Sequence, residues 1–89
     1  MPSASIVIRE DIIRELGEAI GLRERASRLW AVASKAYSEG RTADGDAASR
    51  EGDNLAQKAD HIDTMVEGKE VVLKAVEAAE ASGAVPKPG

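Results

Sequence analysis

The residues best suited to chemistry in this sequence are carboxylates that crowd around glycines near the middle of the chain. The segment "DGDAASREGDN", residues 44–54, has the composition of a loop that binds a divalent cation. A calcium loop of the EF-hand type requires oxygen ligands at its first, third and fifth positions, glycine at the sixth and glutamate at the twelfth. Counted from Asp44, the fifth, sixth and twelfth positions are alanine, serine and leucine. We therefore interpret these carboxylates as the solvated start of a helix, and we expect neither a metal nor another cofactor.

His61 is the only histidine, and its neighbours do not complete a metal site. A di-metal helix of the ferritin-like kind needs glutamate and histidine three residues apart, so that both ligands share one face. The residues three and four positions before His61 are lysine and glutamine, and those three and four positions after it are threonine and methionine. We expect a partly exposed histidine beside the core position Ile62. A metal-binding helical protein is therefore the least favoured function.

A row of carboxylates in the second half of the chain has the spacing for paired acid–base chemistry. Its members are three or four residues apart, so they share one side of a helix: Asp60, Asp63, Glu67 and Glu70. Acid–base catalysis needs a pocket that raises the pKa of one carboxyl group, whereas lysines alternate with this row as on a solvated helix face. The sequence also lacks a glycine-rich phosphate loop and a nucleophile elbow. We predict that the protein is not an enzyme.

Basic residues cluster in the first half at Arg23, Arg25 and Arg28, with Arg14 and Lys35 along the same helix. Such a cluster could contact phosphates in a small nucleic-acid-binding regulator. Alternatively, the arginines pair with acidic neighbours within the chain or across an oligomer. We favour this pairing, because glutamates interrupt the cluster and the second half, from residue 45 on, holds nine acidic and five basic side chains. Nucleic acid is therefore the less favoured partner.

The chain is short and poor in large apolar residues. Its 89 residues include no phenylalanine, one tryptophan and one tyrosine, and alanine supplies much of the hydrophobic fraction. A chain of this length forms at most one domain and buries a limited share of its surface, and each alanine contributes little to that burial. We therefore predict self-association into a dimer or a higher oligomer, or stable docking on a protein partner.

The composition also bears on the compartment. There is no cysteine, so disulfides and thiolate metal sites are excluded. The start of the sequence lacks a basic region followed by a long apolar run, and no stretch approaches the roughly 18 apolar residues of a membrane span. We expect a cytoplasmic protein, or part of an assembly formed in the cytoplasm, without a membrane partner.

The second half carries an unbroken heptad pattern, in which residues facing one side alternate at spacings of four and three. One member of the row is a lysine and the others are apolar: Leu55, Ala59, Ile62, Val66, Lys69, Leu73 and Val76. This spacing predicts a helix from Thr42 or Asp44 to Ser82, whose apolar members form an interaction seam. Gly83 then has the position of a left-handed helix cap.

The first half follows the same alternation less regularly, with one arginine out of character: Ile12, Leu16, Ala19, Arg23, Ala26, Trp30, Ala33 and Tyr37. Gly17 and Gly21 each cost about 1 kcal/mol of helix propensity relative to alanine. We expect a kink or break there, with a short first helix at about 9–20 and a firm helix over 22–39. Residues 5–8 are rich in β-branched side chains and predict a short strand or an extended arm.

Gly40 predicts where the two helical halves join. It follows a helical run and suits a left-handed C-cap, while Thr42 suits an N-cap. A connection of only three residues, 40–42, requires an antiparallel helical hairpin. The alternative is an uninterrupted helix through Gly40. In the hairpin, residues 1–83 form a single domain and residues 84–89 form a flexible tail.

Trp30 and Tyr37 lie one heptad apart, at the closed end of this hairpin. We expect both in the interaction seam, where large rings fill the space above small residues such as Ala48 and Gly52. An exposed aromatic pair would instead mark a hot spot for binding.

The sequence therefore predicts an all-α protein, a coiled-coil-like antiparallel helical hairpin that assembles into an oligomer or a helical bundle. We predict a non-enzymatic interaction or assembly protein: an adaptor, an accessory subunit or a structural component of a larger particle. The alternative is a small nucleic-acid-associated regulator or antitoxin, which would use the arginines of the first helix for DNA and the acidic second helix for a partner.

Overall fold

The computed structural model describes residues 3–83, and they form an all-α antiparallel helical hairpin. Helix α1 spans Ala4–Ser38 and helix α2 spans Thr42–Ser82, so three residues connect them. The molecule measures 65 × 19 × 12 Å. The expected span of α2 is confirmed, and the uninterrupted helix is excluded. The predicted tail at 84–89 lies outside the described residues.

Helix α1 begins earlier than expected and runs without a break. The Ser3 side chain accepts a hydrogen bond from the Ile6 backbone N–H, 3.3 Å away, and so caps the first turn. The prediction of a strand or extended arm at 5–8 is wrong, and so is the prediction of a separate first helix ending near residue 20. Packing along the whole of α2 outweighs the propensity cost of Gly17 and Gly21.

The turn between the helices is built on Gly40, which has a left-handed backbone with φ +78° as predicted. The Arg41 N–H donates to the Ala36 carbonyl at 2.8 Å and thereby closes the end of α1. Thr42, however, does not cap α2. Arg41 holds the cap position without a side-chain cap bond, and its guanidinium pairs with Glu39 and Asp44.

Small residues fill the centre of the contact between the two helices. A buried residue recurs every seven positions in each helix, at Ser5, Ile12, Ala19, Ala26 and Ala33 in α1 and at Gly45, Gly52, Ala59 and Val66 in α2. Among residues 3–83, no large side chain is fully buried, and six of the eight buried hydrophobic residues are alanines. The helices therefore approach closely but bury little apolar volume.

The heptad pattern predicts correctly which residues of α2 pack against α1, but it predicts only one of the two rows of α1 that pack against α2. In α2, Ala59 and Val66 are buried and the other predicted apolar seam residues are half-buried: Leu55, Ile62, Leu73 and Val76. In α1, one buried and four half-buried residues complete the contact instead of the expected row: Ile8, Glu15, Leu22, Leu29 and Ala36. The expected row, which contains Trp30 and Tyr37, lies on the flank.

Gly40 generates the first testable prediction. Alanine at this position would carry a Cβ in a left-handed conformation, which costs about 1–2 kcal/mol, so Gly40→Ala should lower the free energy of unfolding by that amount. Gly40→Asn is the matched control and should lose less, because asparagine tolerates this conformation. Chemical denaturation followed by circular dichroism measures both. A Gly40→Ala protein at least as stable as the parent would contradict the assigned turn.

Candidate interaction surface

One flank of the hairpin carries a ladder of polar contacts from α1 to α2, which we call the flank ladder. The Tyr37 hydroxyl donates to Asp46 at 2.6 Å, and the Trp30 indole N–H donates to Asp53 at 3.0 Å. One heptad further, the Arg23 guanidinium donates to Asp60 at 2.9 Å and to Asp63 at 2.5 Å. The donors and the first three acceptors each recur every seven residues, in opposite chain directions.

Glycines make room for the two aromatic rungs of this ladder. A Cβ built on Gly45 would lie 2.5 Å from Cε1 of Tyr37, and one built on Gly52 would lie 2.7 Å from Nε1 of Trp30. The Cβ on Gly52 would also lie 3.2 Å from the Ala26 carbonyl oxygen. Each ring therefore occupies the volume that a side chain of α2 would otherwise take. The expectation that the rings pack on small residues is confirmed, with Gly52 as expected and with Gly45 in place of Ala48.

The rings are nevertheless not inside the seam. Trp30 is 43% exposed and Tyr37 is 44% exposed, so one part of each ring covers a glycine while the rest meets solvent. Their hydrogen bonds to Asp53 and Asp46 fix how the rings are oriented. Bonding to the Asp46 carboxylate also raises the pKa of the Tyr37 hydroxyl above its ordinary value. The hairpin thus presents two ordered, half-exposed aromatic side chains near its closed end.

The acidic half of the flank ladder is the feature that the sequence patterns did not reveal. A small residue followed by aspartate recurs at 45–46, 52–53 and 59–60, while the residues facing these pairs in α1 recur at 23, 30 and 37. Heptad analysis classifies the aspartates as solvated because it weighs only apolar positions. A search for polar residues at the seven-residue interval would have found them.

Lys69 is the polar member of the otherwise apolar heptad pattern of α2, and it pairs with two carboxylates of α1 across the hairpin. Its ammonium group donates to Asp11 and to Glu15, each at 2.5 Å. These bonds raise the pKa of Lys69, and the bond from Lys69 lowers the pKa of Asp11. Among residues 3–83, Glu15 Oε2 is a buried oxygen with no hydrogen-bond partner, so Glu15 depends on Lys69 for its compensation.

The predicted phosphate-contacting arginines do not form one patch. Arg23 points to the flank ladder, where two carboxylates neutralise it. Arg25 and Arg28 lie on the opposite side of the hairpin, where they line a groove of about 330 Å³ together with apolar residues and Glu51. The pairing favoured from the sequence therefore applies to Arg23, while Arg25 and Arg28 have no ion pair within residues 3–83.

The histidine and the carboxylates of α2, which have the chemistry of metal ligands, do not form a cluster within residues 3–83. His61 is exposed on α2. Over the part of the chain that the structure describes, no group of three or more histidine, aspartate or glutamate side chains is arranged to hold a metal ion. Several aspartates of α2 instead bond to a cation or an aromatic donor of α1, as in the contact of Asp60 with Arg23.

About half of the large apolar side chains lie outside the contact between the helices. Ile13 is 69% exposed, Ile20 is 59% exposed and Val71 is 70% exposed. Others are also classed as exposed: Ile6, Val7, Leu16, Val32, Met65 and Val72. Charged residues alternate with them, and neither described helix is long and apolar enough to cross a membrane. Most of these residues lie towards the open end of the hairpin, in the first half of α1 and the second half of α2.

Gly52 generates the second prediction. Gly52→Ala should destabilise the hairpin by about 1–3 kcal/mol, because the new methyl group overlaps Trp30 and the Ala26 carbonyl. Gly68→Ala is the matched control, since Gly68 lies inside α2 with nothing within 4 Å of a Cβ; it should stabilise by about 1 kcal/mol. Denaturant titrations compare the two. Equal stabilisation by both substitutions would show that Trp30 does not pack on Gly52.

Lys69 generates the third prediction, through the pH dependence of stability. Because the folded-state pKa of Asp11 is lowered, its contribution is present above the unfolded value of about 3.9 and is lost as pH falls through the folded value. Lys69→Met should therefore lower the melting temperature at pH 7, where it leaves Asp11 and Glu15 without their shared cation. The deficit should shrink at about pH 2, because the parent loses this contribution as the pH falls through the lowered pKa of Asp11.

The double variant Lys69→Met/Glu15→Gln is the control for this prediction. It removes the uncompensated charge, so its melting temperature at pH 7 should lie above that of Lys69→Met. Melting curves for Lys69→Met that match the parent at both pH values would show that the cross-hairpin pairs contribute nothing to folding.

No protein-family model matches the chain, and comparisons with curated proteins and with solved structures likewise found no match. The functional proposal therefore depends on the chemistry of the hairpin surface, in particular on its exposed apolar residues and on the flank ladder.

Proposed function

We propose that the protein is a non-enzymatic interaction or assembly protein, which acts as an adaptor, an accessory subunit or a structural component of a particle assembled in the cytoplasm. The observation that carries this proposal is where the apolar residues lie. Alanine and glycine occupy most of the centre of the helix contact, while other large apolar side chains such as Ile13 and Val71 are more than two-thirds exposed.

This distribution is unfavourable for a hairpin that acts alone. Two helices share only one contact, so each helix keeps most of its circumference in water. Large apolar side chains there gain no burial, and clusters of them typically mark sites where a protein partner binds. A partner that covers Ile13, Ile20 or Val71 would add the burial that the alanine-rich contact does not supply.

Trp30 and Tyr37 support the same proposal from the closed end of the hairpin. Tryptophan and tyrosine are enriched among the residues that dominate binding energy. Here the two rings rest on glycines and are held by hydrogen bonds to aspartates, so binding a partner would cost little additional ordering of these side chains.

The alternative function, a nucleic-acid-associated regulator, rests on Arg25 and Arg28, which line a groove without an ion pair in the described part of the chain. Two such cations make few phosphate contacts, and α2 is strongly acidic. We expect no DNA binding near 150 mM salt. If these arginines do contact phosphates, affinity should fall steeply with salt, and replacing one of them should reduce the slope of log K against log salt by about one unit.

The fourth prediction tests assembly directly. At tens of micromolar, sedimentation velocity should give a mass above the 9.4 kDa of one chain, or the chain should be recovered in a stable complex with a protein partner. Ile13→Gln should weaken the assembly while leaving the fold intact, because Ile13 is largely exposed in the hairpin. A cooperatively folded monomer that associates with nothing would contradict the proposed function.

A further inference from the structure

The outer face of α1 carries a second row of residues with alternating spacings of three and four. This row, which we call the outer row, lies on the side of α1 away from the residues that pack on α2, although the long side chain of Arg28 also reaches a groove that α1 shares with α2. Seven of its eight members are exposed and Gly21 is half-buried: Val7, Glu10, Arg14, Gly17, Gly21, Glu24, Arg28 and Ala31. No element of the hairpin covers this face.

Two glycines occupy the middle of the outer row, and the hairpin itself gives no reason for them. A Cβ on Gly17 or Gly21 would meet nothing within 4 Å, whereas Gly45 and Gly52 accommodate aromatic rings. Each glycine inside a helix costs about 1 kcal/mol relative to alanine. Gly21 is also the midpoint of α1, which runs from residue 4 to residue 38.

The charges of the outer row are ordered so that two copies of the row, placed antiparallel, set opposite charges against each other. Glu10 and Arg14 lie on one side of the glycines, and Glu24 and Arg28 lie on the other. In an antiparallel pair of α1 helices with residue n opposite residue 38 − n, Glu10 faces Arg28 and Arg14 faces Glu24. The two-fold axis duplicates both pairs and places Gly17 opposite Gly21.

Other arrangements of two α1 helices do not have this complementarity. A parallel pair sets each charge of the outer row against its own copy, which is repulsive. A shift of seven residues in either direction sets Arg14 against Gly17 or Ala31 and loses its pairing with Glu24. Charge therefore selects one register of the antiparallel pair.

We propose that α1 binds the α1 helix of a second copy of this chain, antiparallel and in this register, with the two-fold axis between Gly17 and Gly21. The inference rests on the proposed function, and it names the partner and the surface. The glycines permit close approach of the two backbones, and Ile20, next to Gly21 and 59% exposed, meets its own copy beside the axis.

The ion pairs between copies set the register and add only modestly to affinity. Glu10, Glu24 and Arg28 make no ion pair within residues 3–83, and Arg14 pairs only with Asp11 at the surface of its own helix. They are therefore available to a partner at little cost. Apolar burial of Ile20 and of the neighbouring Ile13 contributes the larger share of binding.

Charge reversal at both ends of the outer row tests the register. Glu10→Arg and Arg28→Glu each set like charges against one another twice, so each should weaken self-association about tenfold or more in sedimentation equilibrium. An equimolar mixture of the two variants restores attraction at both ends and should associate as tightly as the parent. The double variant Glu10→Arg/Arg28→Glu should do the same. A mixture no tighter than its components would overturn the inference.

A substitution at the axis separates assembly from folding. Gly21→Leu introduces a good helix former, so the hairpin should melt no lower than the parent, but the leucine blocks close approach and should abolish dimerisation. Gly68→Leu, on the open surface of α2, is the matched control and should leave dimerisation unchanged. A Gly21→Leu protein that dimerises like the parent overturns the inference.

The outcomes also distinguish this inference from the proposed function. Assembly that persists through Gly21→Leu and both charge reversals overturns the α1 pairing but supports an assembly protein that uses another surface. A parent chain that stays monomeric up to about 500 micromolar, where even a weak interface would associate, also overturns the pairing. Recovery of that chain in a complex with a different protein would leave the proposed function in place.

Discussion

The structure depends on how closely two long helices approach each other through a row of small residues. At Gly52 the backbone of α2 lies close to that of α1, since a Cβ built there would be 3.2 Å from the Ala26 carbonyl oxygen, and the buried residues one heptad away, Gly45 and Ala59, are also small. Close approach over nearly the whole length compensates for the small size of each contact, since dispersion attraction depends on short distances between many atoms. The same approach moves large side chains such as Trp30 to the edges of the contact.

Polar groups at those edges then give the pairing its register. A contact made of alanine and glycine repeated every seven residues could slip by one heptad with little change in apolar burial. The Lys69 contacts oppose such slippage, because a shift by one heptad would leave Glu15 facing an apolar residue without a cation. The flank ladder repeats every seven residues and would partly re-form after such a shift. The use of a polar residue within an apolar row to fix register is familiar from coiled coils. Stability and specificity therefore come from different residues in this hairpin.

The sequence predicted the hairpin, the span of α2 and the Gly40 turn, because each depends on local pattern or backbone chemistry. It did not predict which side of α1 faces α2. The buried row of α1 that contains Ile12 and Ala26 needs a second row beside it to complete the contact with α2. Two rows of α1 are candidates, one containing Trp30 and the other containing Leu29, and both are partly apolar. The choice depends on the glycines of α2, which accommodate rings at the edge of the contact. The predicted break at Gly17 failed for a related reason: propensity is local, whereas packing along α2 acts on the whole helix.

Four glycines lie inside α1 or inside the first half of α2. They form two groups with different physical explanations. Gly45 and Gly52 are required by the fold, since a side chain there would collide with Tyr37 or Trp30. Gly17 and Gly21 lower the propensity of α1 without any packing that offsets the loss within the hairpin. A sequence optimised only for a monomeric hairpin would gain stability from alanine at both positions, as it would at Gly68. Gly17 and Gly21 differ from Gly68 in lying in the middle of a charge-ordered face, where a helix that approaches from outside would use the open space.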